Sequence, residues 1–200
     1  MKVKVKAEGE VKEFDVIKSW DDVTLENWIR LVSSKSETKS EEALETISEL
    51  SNMPKSIIEK LELSDVAVIL ERIGKLQADV DNSLVRIIEV EGKRYGFHPD
   101  LDSISLGEYA DIENFIKMGL EQHLPEVMAI LYRPIVEETE KGVYTIEAYD
   151  GQIAIRAEEM KKMSSQQVQN ALVFFYRFVK VVRSLLQTHR WADSTFKNNN

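Results

Sequence analysis

The sequence contains no cysteine, which excludes disulfide bonds, thiolate nucleophiles and zinc sites built on cysteine. No apolar run approaches the roughly 20 residues that a membrane-spanning helix requires. The longest, ALVFFYRFVKVV, is interrupted by Arg177 and Lys180. The first ten residues alternate lysine with valine and lack the apolar centre of a signal peptide. We therefore expect a protein of a reducing compartment that does not enter a membrane.

Basic residues are outnumbered by acidic ones. The 26 lysines and arginines face 35 aspartates and glutamates, so the formal net charge is −9. Neither half of the chain shows a basic face that could release counterions from nucleic acid, and nucleic acid is not an expected partner. An acidic surface keeps a protein dispersed in solution. The same charge leaves one specific alternative, a mimic of DNA, which would present its carboxylates in a double row.

The sequence lacks the motifs of common catalytic and cofactor sites. It contains no glycine-rich phosphate loop and no Gly-x-Ser-x-Gly nucleophile motif. His98, His123 and His189 are far apart, and their surroundings do not have metal-ligand spacing. We predict no catalytic residue, no cofactor and no metal ion, and therefore a protein that is not an enzyme.

Paired carboxylates precede two of the predicted helices. Such groups can bind a cation or transfer protons. They can also interact with the positive end of a helix, which requires no ligand and explains both places, and we favour this interpretation. The residues concerned are Asp21, Asp22, Asp100 and Asp102.

The chain does contain an internal repeat. Residues 3–28 and 85–109 both show a strand, a Glu-Gly turn, a second strand and the start of a helix. When the first copy is shifted by 81 positions, Thr24 aligns with Ser105. The shared order favours duplication of one module over a chance likeness of turns and caps. After Pro134 the offset rises from 80 to 100, which indicates about 20 residues added to the second copy.

Local patterns predict an α+β fold in which each module is a β-hairpin followed by about four helices. Val3 and Val5 alternate with lysines, as in a strand with one wet face. Ser105 and Glu108 have the spacing of a capping box at the start of a helix. The longest helix is predicted from residue 165 to about residue 188, with apolar side chains on more than one face.

The segment added to the second copy is predicted to be an extra hairpin. Its sequence VYTIEAYDGQIAIRAE reads as two strands around Asp150-Gly151, a strong type I′ turn signal. The domain prediction is a first module at 1–83 and a second module at 84–190. The second module carries the inserted hairpin at 135–156, and a tail follows at 191–200.

The inserted hairpin is the best candidate for contact with a partner. The first copy has no equivalent, so the module does not require it to fold, and an exposed strand can extend the sheet of another protein. The apolar long helix lies either in the centre of the core or under a partner. The predicted interaction residues are Tyr144, Ile146, Tyr149, Ile153, Ile155, Phe174 and Trp191.

Several phrases of the sequence resemble a set of bacteriophage proteins. They are SWDDVTLENWIRL, ISELSNMPKSIIEKLELSDV, LDSISLGEYADIENFIK and MAILYRPI, together with the pair Phe174-Phe175 in the last helix. These motifs are caps and core positions, so the resemblance assigns no catalytic residue.

The resemblance implies a phage structural or morphogenesis protein, such as a tail-assembly chaperone or a virion component of the tail or neck. Its expected partners are other phage structural proteins or further copies of itself, in the host cytoplasm or in the virion. Two other classes stay open at this point: an acidic inhibitor or regulator of a host enzyme, of which the DNA mimic is an example, and a small enzyme with a concave polar pocket.

Overall fold

The structure, a computed structural model, describes residues 2–7, 10–76, 83–176 and 179–180. Its first half contains one hairpin and four helices. A short 3-10 turn separates the hairpin from the first helix. These elements are β1 (Lys2–Ala7), β2 (Glu10–Asp15), the turn Trp20–Asp22, α1 (Leu25–Ser33), α2 (Lys39–Glu49), α3 (Lys55–Ile58) and α4 (Leu63–Leu76).

The second half repeats this order and then departs from it. A hairpin, a 3-10 turn and a helix are followed by a second pair of strands between helices. These elements are β3 (Ile87–Val90), β4 (Lys93–Phe97), the turn Leu101–Ser103, α5 (Leu106–Gly119), the turn Leu120–His123, α6 (Leu124–Leu131), β5 (Tyr132–Glu138), β6 (Tyr144–Ile146), α7 (Ile153–Met160) and α8 (165–176).

The fold class is α+β, as predicted. Strands β1 and β2 form a two-stranded antiparallel sheet, and the other four form an antiparallel sheet in the order β3-β4-β5-β6. No helix in the described parts of the chain has both the length and the apolar content needed to cross a membrane.

The joint between hairpin and helix has the same local geometry in both halves. The 3-10 turns Trp20–Asp22 and Leu101–Ser103 lie 81 positions apart. The N-cap residues that follow have nearly equal backbone angles, with φ −72° and ψ 155° at Thr24 and φ −72° and ψ 157° at Ser105. Each cap oxygen accepts the backbone N–H three residues later. The likeness agrees with a duplicated module, and descent from one ancestral unit stays a prediction.

The backbone conformation of the turn in the second hairpin explains why a glycine stands there. Glu91 has φ 51° and Gly92 has φ 78°, so both central residues occupy the left-handed region of a type I′ turn. The matching Glu8-Gly9 lies outside the described residues.

The inserted hairpin was predicted at the wrong turn. The structure pairs β5 with β6, and the chain reverses between Thr139 and Val143, where the Thr139 N–H donates to the Val143 carbonyl at 2.8 Å. Asp150 instead lies just before the helix α7. Its carboxylate accepts hydrogen bonds from the Gln152 N–H and from the Arg156 guanidinium, each at 2.9 Å. The two-strand prediction around Asp150-Gly151 is therefore wrong after β6.

The physical reason lies in the spacing of the apolar residues that follow. Ile153, Ala157 and Met160 are all buried, and they are separated by four and three positions, which is the spacing of one helix face. Burial of that face against α6 favours a helix over a second strand after Asp150-Gly151, because a turn motif supplies only a local preference.

The described buried residues form two hydrophobic clusters. One is built from the first half and the other from the second half, and Leu25 of α1 belongs to the second cluster. Trp28 packs against both. Backbone bonds reinforce this contact, since the Leu25 N–H donates to the Met163 carbonyl and the Ser165 N–H donates to the Val23 carbonyl, each at 2.7 Å. The boundaries 1–83 and 84–190 stay a prediction.

Candidate functional site

The candidate site is the pair of strands that the first half lacks. We call β5, β6 and the turn between them the ribbon, residues 132–146. At its base, Tyr132 and Arg133 are buried, whereas its far end is exposed to solvent. Two valines at that end are largely exposed, with 62% for Val136 and 66% for Val143. The ribbon therefore begins in the core and ends as an apolar surface.

Strand β6 is anchored from one side and unpaired on the other. The side chains of Tyr144 and Ile146 pack over Gly96, where an added Cβ would clash with the Tyr144 ring. The Tyr144 hydroxyl donates to the Phe97 carbonyl at 2.7 Å. In the described part of the chain, no strand pairs with the outer edge of β6. The edge backbone and the exposed Thr145 are thus presented on a fixed support.

A buried ion pair fixes the base of the ribbon to α5. The Arg133 guanidinium lies 2.9 Å from Glu108 Oε1, and the two residues are 5% and 3% exposed. The other Glu108 oxygen accepts the Ser105 N–H at 2.8 Å and completes the capping box that the sequence predicts. Removal of either charge would leave its partner buried and unpaired, which is strongly destabilising.

His98 lies beside this ion pair, with its Nε2 3.7 Å from Glu108 Oε1. Burial lowers the pKa of His98 below its ordinary value of 6.5, and the nearby Glu108 only partly opposes this shift. Burial also lowers the pKa of Arg133, again against the pull of Glu108. Because the pKa of His98 lies below 6.5, its imidazole is neutral at pH 7.

A second polar layer ties the loop after β6 to the same helix. The Tyr149 hydroxyl donates to the Asp111 carboxylate, and the Arg133 guanidinium carbon lies 6.0 Å from the centre of the Tyr149 ring. The pKa of Tyr149 is raised, first by burial and then by the bond to Asp111. The buried Arg156 donates to Asp150 at 2.9 Å. The Tyr149 contact ties this loop to α5, and the Asp150 contact ties it to α7.

Histidine, glutamate and arginine together could transfer protons, but their surroundings favour a structural role. His98, Glu108 and Arg133 are buried against one another. The cavity that reaches His98 has a volume of about 210 Å³, below the roughly 300 Å³ at which ligand pockets usually begin. Within the described residues, no group of three or more histidines and carboxylates is arranged to hold a metal ion.

A larger cavity of about 750 Å³ lies where the two halves meet. Its walls come from the first 3-10 turn, β3 and the start of α8, and they carry both signs of charge. The charged residues in its lining are Lys18, Asp21, Glu89 and Lys162. Opposite charges spread over the wall do not define one class of ligand.

Two of the four carboxylates before the helices, Asp22 and Asp100, cap the 3-10 turns. Asp22 accepts the Lys18 N–H at 2.8 Å and the Ser19 N–H at 3.2 Å. Asp100 accepts the Asp102 N–H at 3.0 Å. These bonds satisfy backbone donors at the turns in both halves.

The predicted interaction residues are partly brought together. Tyr144, Ile146 and Tyr149 are half-buried anchors of the ribbon and its following loop, and Ile153 is buried at 8% exposure. Ile155 is 70% exposed on α7.

Of the last two predicted residues, one lies away from the ribbon edge and the other falls outside the described part of the chain. Phe174 is half-buried and lines the small cavity at His98. Trp191 and the tail 191–200 lie outside the described residues.

Sequence reasoning missed the residues that support and present the edge. Glu108 was identified as half of a capping box, but nothing in the neighbouring sequence indicates that Arg133 is its charge partner. Gly96 carries a signal in retrospect, because a glycine inside a strand often marks a close approach by another group.

Comparison with protein-family models, with curated proteins and with solved structures found no match to this chain.

Proposed function

We propose that this protein is a non-enzymatic binding component of bacteriophage assembly or of the virion, acting in the tail or neck or as an assembly chaperone. It binds other phage structural proteins, or further copies of itself, through the edge of the ribbon. The phage assignment comes from the sequence resemblance, and the mode of binding comes from the site.

The observation that carries the binding role is the anchored but unpaired edge of β6. Inward packing of Tyr144 on Gly96 fixes the strand, so a partner strand would meet backbone groups that are already in place. Preordering of this kind reduces the entropy lost on binding. The exposed valines at the end of the ribbon, Val136 and Val143, add apolar area beside the edge.

The charge pattern gives no support to the DNA-mimic alternative. Exposed carboxylates alternate with lysines and arginines that bind them, as in Lys2–Glu13, Arg30–Glu26 and Lys75–Glu71. A mimic of DNA requires carboxylates repeated without such partners.

The test is affinity capture from cells infected with the phage that encodes the chain, combined with mass spectrometry of purified particles. The full-length protein is the bait, and a V143K/T145K variant places two lysines on the ribbon. Edge lysines oppose pairing with a further strand. The matched control is Val11→Lys, because Val11 is 69% exposed on the other hairpin.

We expect the natural chain and the V11K variant to capture phage structural proteins. The V143K/T145K variant should capture clearly less of them. Absence of the protein from particles, combined with capture of no phage protein, would overturn the phage assignment. Equal capture by all three baits would remove the ribbon from the binding site.

A further inference from the structure

A second surface, on the opposite half of the sequence from the ribbon, forms an apolar groove with an acidic rim. It lies between α2 and the α3–α4 segment and has a volume of about 420 Å³. Leu44, Leu61, Leu63 and Val66 provide apolar lining. Leu63 is the first residue of α4 and is 85% exposed. We call this surface the α2–α4 groove.

The charged residues that line this groove are both acidic. Glu41 and Glu59 lie in its wall, and within the described residues no lysine or arginine lines it. Glu41 is fixed in place, since its carboxylate accepts the Glu37 N–H at 2.9 Å in the capping of α2. A segment that fits the groove would therefore combine apolar side chains with positive charge.

The chain itself contains such a segment after its last described residues. Between Glu159 and Asp193 the sequence has no acidic residue, although the whole protein carries −9. Within this stretch, residues 181–192 read VVRSLLQTHRWA. They combine the paired apolar residues Leu185 and Leu186 with two arginines.

We propose that the α2–α4 groove binds residues 181–192 of this chain. The leucines of the segment pack against Leu61 and Leu63, and its arginines lie near Glu41 and Glu59. The inference is independent of the ribbon and of the phage assignment, because it concerns a different surface and a partner within the same sequence.

The experiment is a titration of a fluorescently labelled peptide of residues 181–192 into the full-length chain. The acceptor carries L185D/L186D, so its own segment does not compete with the peptide. Leu63→Asp disables the groove. Leu106→Asp is the matched control, because Leu106 is likewise the first residue of a helix and is 83% exposed. Aspartate is favourable in the first turn of a helix, so both variants are expected to fold.

We expect L63D to weaken peptide binding at least about tenfold, the effect of removing one buried leucine contact, and L106D to leave it unchanged. Glu59→Lys provides a second variant at an exposed position, and it should weaken binding about fivefold. A peptide with R183E/R190E should bind E59K better than it binds the unaltered groove.

Failure of the natural peptide to bind the L185D/L186D acceptor would overturn the proposal and leave the groove to a foreign basic helix. Equal losses in L63D and L106D would also overturn it, since binding would then not be local to the groove. Neither result bears on capture by the ribbon, so the two proposals fail separately.

Discussion

The two hairpins begin alike and end in different surroundings. In β2 exposure alternates along the strand, whereas Tyr95, Gly96 and Phe97 of β4 are all buried. The cause is the ribbon, because β5 pairs with the second edge of β4 and Tyr144 covers Gly96. A hairpin is thus a local product of turn and alternation, but an interior strand depends on a partner from elsewhere in the chain.

The helix starts show the same contrast. The third residue of α1 is Asn27, whose side-chain N–H donates to the Glu49 carbonyl at 3.3 Å. At the equivalent position of α5, Glu108 pairs with Arg133 in the core. In both halves the third residue of the helix contacts an element distant in the sequence. In the second half that contact is a buried ion pair.

The largest expected effect comes from breaking this charged contact. Arg133→Met should lower the free energy of unfolding by about 3–5 kcal/mol, because Glu108 is left buried without its cation. Asn27→Ala, the counterpart in the first half, should lose only about 0.5–1.5 kcal/mol. Urea unfolding followed by circular dichroism measures both. Similar losses would show that the two joints do not differ in the way described.

The next effect concerns the glycine under the ribbon. Gly96→Ala places a methyl group against Tyr144 and Ile146 and should destabilise the protein by about 1–3 kcal/mol. The control is Gly74→Ala in α4, where an added Cβ meets nothing within 4 Å. That change should stabilise the protein by about 0.5–1 kcal/mol. Thermal unfolding of both variants, with hydrogen exchange at Thr145, provides the measurement; a stabilised G96A would mean that Tyr144 does not pack there.

The likeness of the caps can be tested by equal deletions. Thr24→Ala and Ser105→Ala should each cost about 1 kcal/mol, because each removes one acceptor for a backbone N–H at a helix start. Chemical unfolding of the two single variants measures the costs. A difference much larger than the error of the method would contradict the equivalence of the two joints.

The smallest effect is a dependence on pH that belongs to the second half. The folded-state pKa of His98 is lowered from 6.5, so the unfolded chain takes up the proton first as the pH falls. Stability from this residue is complete above pH 6.5 and declines below it, by at most about 1.4 kcal/mol per pH unit. H98I introduces the residue found 81 positions earlier, Ile17, and should flatten this part of the profile. An unchanged slope between pH 7 and 5 would assign the acid sensitivity to other groups.

The sequence predicts most of the local structure. The Ser105 cap and the Glu91-Gly92 turn each act through neighbours within four residues, and their predicted roles are confirmed. The prediction failed at Asp150-Gly151, where a turn motif competed with burial of Ile153 and its helical neighbours. Local preference is worth less than burial of an apolar face, so the tertiary contact prevailed.

The segment that supplies β6 was predicted to form a strand, but the orientation of its side chains was not predicted. The added segment does supply an edge strand, yet Tyr144 and Ile146 face Gly96 rather than a partner. No pattern within β6 identifies Gly96 as their support, because almost 50 residues separate them in the chain. The orientation of an edge side chain depends on which strand lies beneath it.

By itself the sequence determined the hairpins β1-β2 and β3-β4, the capped helix starts, the acidic charge and the absence of thiol chemistry. These follow from residue type and from interactions between close neighbours. Only the tertiary structure decided that β4 is interior while β2 is not, that Glu108 binds Arg133, and that the α2–α4 groove has an acidic rim. Each of these joins residues far apart in the chain, where the free energy comes from burial and charge pairing that no short stretch contains.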